Sequence, residues 1–130
     1  MEPMKILVVD DEIDFLETIL KRLQARGTNV MGAESGYQAL EMIAGQDFDV
    51  VILDVKMPGL DGIETLREMK KKKPLMEVIM LTGHASVESG IQGMQLGAFD
   101  YVMKPVALDE LLEKIRQAHE RKLIQEKKTE

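Results

Sequence analysis

An uninterrupted apolar run that ends in a single carboxylate constrains the fold of this chain more than any other feature. Val50-Val51-Ile52-Leu53 leads directly into Asp54, and Met57-Pro58-Gly59 follows shortly afterwards. Four apolar residues are too few for a helix and are typical of a strand buried on both faces, as in a parallel sheet. The Pro-Gly pair then predicts a tight loop. Asp54 is therefore expected at the carboxyl end of a central strand, where open α/β sheets bind ligands.

Four more short apolar runs, each followed by apolar residues at helical spacing, repeat this pattern. The predicted strands are Lys5–Val9, Thr28–Ala33, Val50–Leu53, Glu77–Leu81 and Phe99–Met103. The predicted helices run from Ile13 to a stop at Gly27, from a cap at Ser35 to Gly45, from Ile63 to Lys73, from Ser86 to Gln95, and from Leu108 to Ala118. Five alternations of strand and helix predict an α/β, doubly wound fold with a parallel sheet, helices on both faces and right-handed crossovers.

Composition narrows the class of protein. The chain has 130 residues, of which 45% are hydrophobic, and this is enough for one globular domain. The absence of cysteine excludes disulfides, thiolate catalysis and zinc–thiolate sites. No apolar run approaches membrane-spanning length, so we expect a cytoplasmic protein that does not interact with membranes. The net charge of −6 argues against direct nucleic-acid binding.

Three segments are less regular. Lys70-Lys71-Lys72-Lys73 is expected to form a solvated helix end, because cations complement the helix dipole there. Gly90 and Gly93 each cost about 1 kcal/mol in a helix interior, so the fourth helix should be the most mobile. His119 to Glu130 should prolong the last helix and fray.

Polar residues follow four of the five strands. They are Asp10 and Asp11, Asp54, Thr82, and Lys104. Each has an ordinary explanation taken alone: a helix cap, a turn residue, a loop hydrogen bond and a surface lysine, respectively. All four positions are at carboxyl ends, however, and parallel strands bring those ends to one edge of the sheet. Their joint placement there favours a functional site.

The chemistry of these residues is coherent. Several carboxylates close together require a cation, and an open, oxygen-rich site suits Mg²⁺. Mg²⁺, an ammonium from Lys104 and a hydroxyl from Thr82 would stabilise a phosphoryl group in transfer to an Asp54 nucleophile. The backbone N–H of Gly83 could approach a phosphoryl oxygen closely, since glycine has no side chain.

In these motifs the sequence resembles the receiver domain of two-component response regulators. The pieces that carry the resemblance are Val8-Val9-Asp10-Asp11-Glu12, Leu53 to Gly62, Leu81-Thr82-Gly83, and Gly97 to Tyr101 with Lys104-Pro105. The resemblance covers about residues 4 to 120. We therefore expect a receiver domain over 1–120, with 121–130 as a helical extension or the start of a linker.

The resemblance implies a role for each matching residue. Asp54 would accept a phosphoryl group from a sensor histidine kinase or a phosphotransfer protein. Asp10 and Asp11 would bind Mg²⁺ together with Asp54 and the backbone carbonyl of Lys56. Thr82 and Lys104 would bind the phosphoryl group, and rotation of Tyr101 would report phosphorylation.

The resemblance also implies structural features and an output surface. The strand order would be 2-1-3-4-5, as in flavodoxin-like folds, and the Lys104–Pro105 bond would be cis. Phosphorylation would act on an output partner or effector domain, or on a homodimer, through the fourth helix, fifth strand and fifth helix.

Two other functions compete with a phosphorylation switch. A Mg²⁺-dependent aspartyl phosphatase would need a second acid two residues after its nucleophile, and this chain has Lys56 there. A receiver-like scaffold would bind partners without phosphorylation, and loss of Asp54 or Lys104 would have favoured it. No enzyme activity is expected beyond self-phosphorylation from a donor and slow self-dephosphorylation.

Lys56 and His84 are the residues expected to tune the phosphoryl lifetime. They lie two positions after Asp54 and Thr82, where their side chains would flank the approach of water to the phosphoryl group. Lys56 has no acceptor with which to orient a water. A neutral His84 could accept a hydrogen bond from a water, but its bulky ring would exclude that water. The alternative is that both side chains are solvated and have no effect on the lifetime. We expect the pair to slow self-dephosphorylation.

Overall fold

Five strands alternate with five helices in the computed structural model, which describes residues 4–56, 61–83 and 87–129, and the side chains in these ranges apart from 87–89. The elements are β1 (Lys5–Val9), α1 (Ile13–Ala25), β2 (Asn29–Ala33), α2 (Gly36–Gly45), β3 (Val50–Asp54), α3 (Gly62–Lys72), β4 (Glu77–Thr82), α4 (Val87–Gln95), β5 (Asp100–Met103) and α5 (Leu108–Lys128). The predicted alternation is confirmed. The predicted helix start at Ser86 lies outside the described residues.

All five strands pair in parallel, in the order β2-β1-β3-β4-β5. This is the strand order that the resemblance implied. Val9 is opposite Leu53, Asp54 is opposite Leu81, and Thr82 is opposite Met103. This register aligns the carboxyl ends of β1, β3, β4 and β5 along one edge of the sheet.

The sheet is covered on both faces, as the unbroken apolar runs predict. Alternate residues of each strand point to opposite faces, so Leu7 and Val9 join one core while Ile6 and Val8 join the other. Helices α2, α3 and α4 pack on the first face, and α1 and α5 pack on the second. Strands β1 to β4 each contribute to both apolar cores, whereas the edge strand β5 contributes only Val102, to the second.

Two strands extend one residue further than predicted. Asp54 is the last residue of β3, and Thr82 is the last residue of β4. The amide of Val55 donates to the carbonyl of Leu81 at 3.0 Å, so pairing continues to the sheet edge. Both polar side chains are consequently fixed by the sheet.

Side-chain caps define the starts of α2 and α3. The hydroxyl of Ser35, as predicted, accepts from the amide of Gln38 at 3.1 Å. The carboxylate of Asp61 accepts from the amide of Glu64 at 2.9 Å. Such caps satisfy backbone donors that have no partner within the helix.

The prediction of a solvated lysine run is wrong for Lys70. Its ammonium donates to the carbonyls of Pro74 and Met76 at 2.9 and 3.0 Å, and lies 3.7 Å from the buried Glu77 carboxylate. The buried acid and these carbonyls favour bringing the cation inward. Lys71 and Lys72 are exposed as expected.

Helix α5 runs unbroken to Lys128, which confirms that the segment after His119 prolongs it. The guanidinium of Arg121 lies 3.0 Å from Glu77, and the ammonium of Lys122 lies 3.0 Å from Asp49. These pairs attach the extension to the amino-terminal side of the sheet. Of the helices in the described ranges, none has the length and apolar character needed to cross a membrane.

Candidate functional site

Asp54 is buried at the carboxyl end of the central strand, where its residue is 4% exposed. Its Oδ1 accepts a hydrogen bond of 3.2 Å from the backbone amide of Lys56. The start of α3 packs against the same turn, with the Gly62 amide donating to the Val55 carbonyl at 3.2 Å. The Asp54 carboxylate is therefore held at a fixed position on the sheet edge.

Asp10 is completely buried one residue beyond β1, the strand next to β3. Its amide donates to the carbonyl of Ala33 at 3.1 Å, so the strand pairing with β2 extends to this residue. Its Oδ1 accepts from the amide of Glu12 at 2.9 Å. Glu12 is the N-cap residue of α1, so this bond joins the acidic edge to the start of that helix.

Lys104 brings a cation to these carboxylates. Its Nζ lies 2.8 Å from Asp10, 2.9 Å from Glu12 and 3.9 Å from Asp54. Burial, the largest single influence, acts to lower the pKa of Lys104, but the hydrogen bonds to Asp10 and Glu12 and the charges of Asp10 and Asp54 together raise that pKa. The amide of Lys104 donates to the carbonyl of Thr82 at 2.8 Å, which ties the ends of β4 and β5 together. The Lys104–Pro105 bond is cis, as the resemblance implied.

The ionisation of Asp54 is strongly perturbed. Burial and the neighbouring charge of Asp10 raise its pKa to about 7, although the amide of Lys56 and the charge of Lys104 oppose the shift. Asp11 adds a further raising contribution through its charge. A carboxylate held under such repulsion gains from any additional cation at the site.

Three carboxylates could hold such a cation. Asp10, Glu12 and Asp54 each offer an oxygen, and these atoms all lie within 4.8 Å of one another. An all-oxygen donor set with several carboxylates fits Mg²⁺. Asp11 is half-buried and does not belong to this group, so its predicted role as a ligand remains a prediction.

The hydroxyl of Thr82 is buried and makes no hydrogen bond to the described residues. A buried hydroxyl without a partner is costly, so this hydroxyl is available to donate to a further polar group at the site. Gly83, the next residue, is exposed, and among the described residues a Cβ placed there would meet no atom within 4 Å beyond its chain neighbours. This leaves room for a ligand beside its backbone.

The remaining predicted residues lie around this group. Lys56 is exposed beside Asp54. Tyr101 lies on the edge strand β5 and is 47% exposed. β5 pairs with β4, the strand that carries Thr82. His84 lies outside the described residues.

Two neighbours of Lys104 were not predicted from the sequence. They are the carboxylate of Glu12 and the ring of Phe15, whose centroid lies 4.3 Å from the ammonium. Glu12 directly follows Asp10 and Asp11, and Phe15 is three residues further along the same helix start. Their closeness in sequence to Asp10 and Asp11 indicates that Glu12 and Phe15 lie near the acidic edge. Only the fold shows that both contact Lys104.

Comparison with known protein families identifies one match over most of the chain. The family described as the response regulator receiver domain matches residues 6–116. Transcriptional regulatory protein ZraR of Escherichia coli (strain K12) is 43% identical over 106 residues, which are 82% of this chain and 24% of ZraR. Response regulator MprA of Mycobacterium sp. (strain KMS) is 40% identical over 88% of this chain and 50% of MprA. The chain thus spans about a quarter to a half of these relatives.

Solved structures show the same fold. A receiver domain protein from Clostridium thermocellum has a TM-score of 0.89 and 42% identity, covering 93% of this chain and 98% of that one. NtrX from Brucella abortus, crystallised with ADP, has a TM-score of 0.92 and 31% identity. That likeness covers 98% of this chain and 30% of NtrX.

Proposed function

This chain belongs to the response regulator receiver family, and from that premise we propose that it is a phosphorylation-dependent signalling switch. Asp54 accepts a phosphoryl group from a sensor histidine kinase or a phosphotransfer protein. The observation that carries this proposal is the placement of a buried carboxylate beside an ammonium and a buried hydroxyl on one sheet edge, where the hydroxyl has no hydrogen-bond partner among the described residues.

In the proposed step a carboxylate oxygen of Asp54 attacks the phosphorus of the donor. An oxygen–phosphorus bond forms while the donor's phosphorus–nitrogen bond breaks, and the donor imidazole leaves with the electron pair. Transfer of this kind depends on positioning and on neutralising charge on the phosphoryl oxygens. Lys104 supplies a cation, and Thr82 supplies a hydroxyl donor. The amide of Gly83 supplies a further donor, on a residue that has no side chain to obstruct a phosphoryl oxygen.

Asp10 and Asp54 are the residues best placed to hold Mg²⁺, with Asp11 and the carbonyl of Lys56 completing the set that the resemblance predicts. When bound, Mg²⁺ would neutralise carboxylate and phosphoryl charge. The raised pKa of Asp54 supports this role, because burial and the charge of Asp10 both disfavour its ionised form and a bound cation would offset them. Calorimetry on Asp11→Asn and Glu12→Gln would show which of the two acids contributes. Unchanged Mg²⁺ affinity in Asp11→Asn would remove Asp11 from the ligand set.

The output surface is proposed to comprise α4, β5 and α5. β5 is an edge strand, and large apolar side chains are exposed on α4, at Ile91 and Met94, and on β5, at Tyr101 and Met103. Exposed apolar side chains in one region favour a partner surface. We expect phosphorylation to change binding of an effector domain, a separate partner or a second copy there by a coupling of about 1–3 kcal/mol.

Neither alternative function explains the site as well. Lys56 stands where an aspartyl phosphatase would need its second acid. A scaffold that binds partners without phosphorylation would not require the buried group formed by Asp10, Asp54 and Lys104.

A single gel experiment tests the proposal. The protein is incubated with Mg²⁺ and a small phosphodonor such as acetyl phosphate, then separated on a phosphate-affinity gel, with Asp54→Asn in parallel. The expected result is a stable shifted band for wild type and none for Asp54→Asn. Continuous release of many phosphates per chain would instead indicate a phosphatase, and no shift would indicate a scaffold. Equal labelling of Asp54→Asn would contradict the site assignment.

A further inference from the structure

The ammonium of Lys104 lies closer to Glu12 than to Asp54. Its Nζ is 2.9 Å from Glu12 Oε1 but 3.9 Å from Asp54 Oδ2, and Asp10 takes another of its contacts at 2.8 Å. The ammonium also lies over the face of the Phe15 ring, 4.3 Å from its centroid. In this arrangement Lys104 is bound mainly by residues at the start of α1 and by Asp10.

Glu12 is unusually placed for this contact. It occupies the N-cap position of α1, where the shorter side chains of Ser, Thr, Asp and Asn usually accept a hydrogen bond from the helix. Here its side chain makes no capping bond and contacts Lys104 instead. Its backbone amide is fixed by Asp10, while its side chain is 66% exposed and so has space in which to swing.

We propose that Glu12 is a positioning residue, which together with the Phe15 ring holds the Lys104 ammonium at Asp10 in the unphosphorylated protein and releases it when Asp54 carries a phosphoryl group. The inference rests on the proposed function, since Lys104 needs a phosphoryl group to move to. It gives Glu12 a role besides that of a possible metal ligand, and it adds the Phe15 ring to the site.

The physical reason is a competition between two anions for one cation. A contact that is stronger before the reaction than in the transition state raises the barrier. Loosening this contact should therefore speed phosphorylation. Because Glu12 is largely exposed, the pair is weak, and the expected gain is about 2- to 5-fold in rate.

Three variants separate this effect from simple charge repulsion. Glu12→Gln removes the charged contact, and Phe15→Leu removes the ring contact without changing the net charge. Asp14→Asn is the matched control, because it removes an exposed carboxylate from the same first turn of α1 without removing a contact to Lys104. Phosphorylation rates are measured with acetyl phosphate at saturating Mg²⁺. We expect faster rates in Glu12→Gln and Phe15→Leu and a smaller change in Asp14→Asn.

A second measurement on the same variants does not depend on phosphorylation. Nuclear magnetic relaxation at the Lys104 side chain, in the resting protein without donor, should show greater motion in Glu12→Gln and Phe15→Leu than in wild type and Asp14→Asn. Unchanged Lys104 motion in both variants would overturn the inference, as would slower phosphorylation, or an equal gain in Asp14→Asn. If no variant and no wild-type protein is phosphorylated, the proposed function fails, while the relaxation data still decide whether Glu12 holds Lys104.

Discussion

Gly62 packs directly against the backbone of Asp54. A Cβ at position 62 would lie 2.3 Å from the carbonyl oxygen of Asp54 and 2.5 Å from the Cα of Val55. No backbone atom tolerates such a contact, so the first residue of α3 must lack a side chain for the helix to begin this close to the site. The position of the central carboxylate thus depends on a glycine eight residues later in the chain.

The Gly62→Ala variant should therefore be destabilised by about 1–3 kcal/mol, because the backbone must shift to admit the methyl group. The same shift should slow phosphorylation of Asp54. Chemical denaturation measures the first effect, and the phosphate-affinity gel measures the second. Gly45→Ala is the control, since nothing lies within 4 Å of its Cβ position. A Gly62→Ala variant as stable as Gly45→Ala would show that the contact is not restrictive.

The two glycines of α4 should respond oppositely to alanine. Gly90 has open space around its Cβ position, so Gly90→Ala should stabilise the protein by about 0.5–1 kcal/mol through helix propensity. At Gly93 a Cβ would lie 2.1 Å from the sulfur of the buried Met80, so Gly93→Ala should destabilise it. Thermal unfolding of both variants is the test. Stabilisation by both substitutions would mean that Gly93 serves only to weaken the helix.

Asp54→Asn should stabilise the protein at neutral and alkaline pH when Mg²⁺ is removed by a chelator. The pKa of Asp54 is raised to about 7 in the folded state from an ordinary 3.8, mainly by burial and by Asp10. Because the folded state holds the Asp54 proton more tightly than the unfolded state does, protonation contributes to the free energy of unfolding. This contribution is fully present below pH 3.8 and is lost as the pH rises through 7. Wild type should thus lose on the order of 2–4 kcal/mol across that window.

The Asp54→Asn variant lacks this loss, so the two unfolding curves should diverge between about pH 4 and pH 8. Denaturation at a series of pH values measures the difference. Asp14→Asn, which removes an exposed carboxylate, should follow wild type throughout. Parallel profiles for wild type and Asp54→Asn would contradict the perturbed ionisation. Added Mg²⁺ should narrow the gap, since it offsets the same repulsion.

The last turns of α5 should contribute to stability. A chain ending at Glu120 loses Arg121 and Lys122, which leaves the buried Glu77 with Lys70 and deprives Asp49 of its cation at 3.0 Å. Removing one partner of a buried charge is destabilising, here by about 1–3 kcal/mol. A chain ending at Glu126 keeps both pairs and is the control. Equal stability of the two truncated chains would mean that the ion pairs of Arg121 and Lys122 do not contribute to the free energy of unfolding.

Lys56→Asn and His84→Glu should shorten the lifetime of the phosphorylated protein. The expectation is that both wild-type side chains obstruct water in line with the bond between Asp54 and phosphorus, whereas Asn and Glu would admit or orient it. Decay of the phosphorylated band after donor removal gives the rate, for each variant alone and for both together. Decay at the wild-type rate, or more slowly, would contradict the shielding.

The sequence alone determined the alternation of elements and the residues at the strand ends. Short apolar runs, helical spacing and Asp54 following Leu53 are local patterns, and local patterns decide element type. The parallel sheet then follows from the alternation of strands and helices, and it brings Asp10, Asp54 and Lys104 to one edge.

Only the tertiary structure decided which side chains meet. Glu12 and Phe15 reach Lys104, Lys70 turns inward toward Glu77, and Arg121 reaches the same acid, because strand register and helix packing bring together residues far apart in sequence. In the sequence Gly62 is interpreted as a loop residue before the third helix, and Gly93 as a residue that weakens the fourth. Their role as points of close packing depends on the backbone and side chain that lie opposite them, which no local pattern encodes.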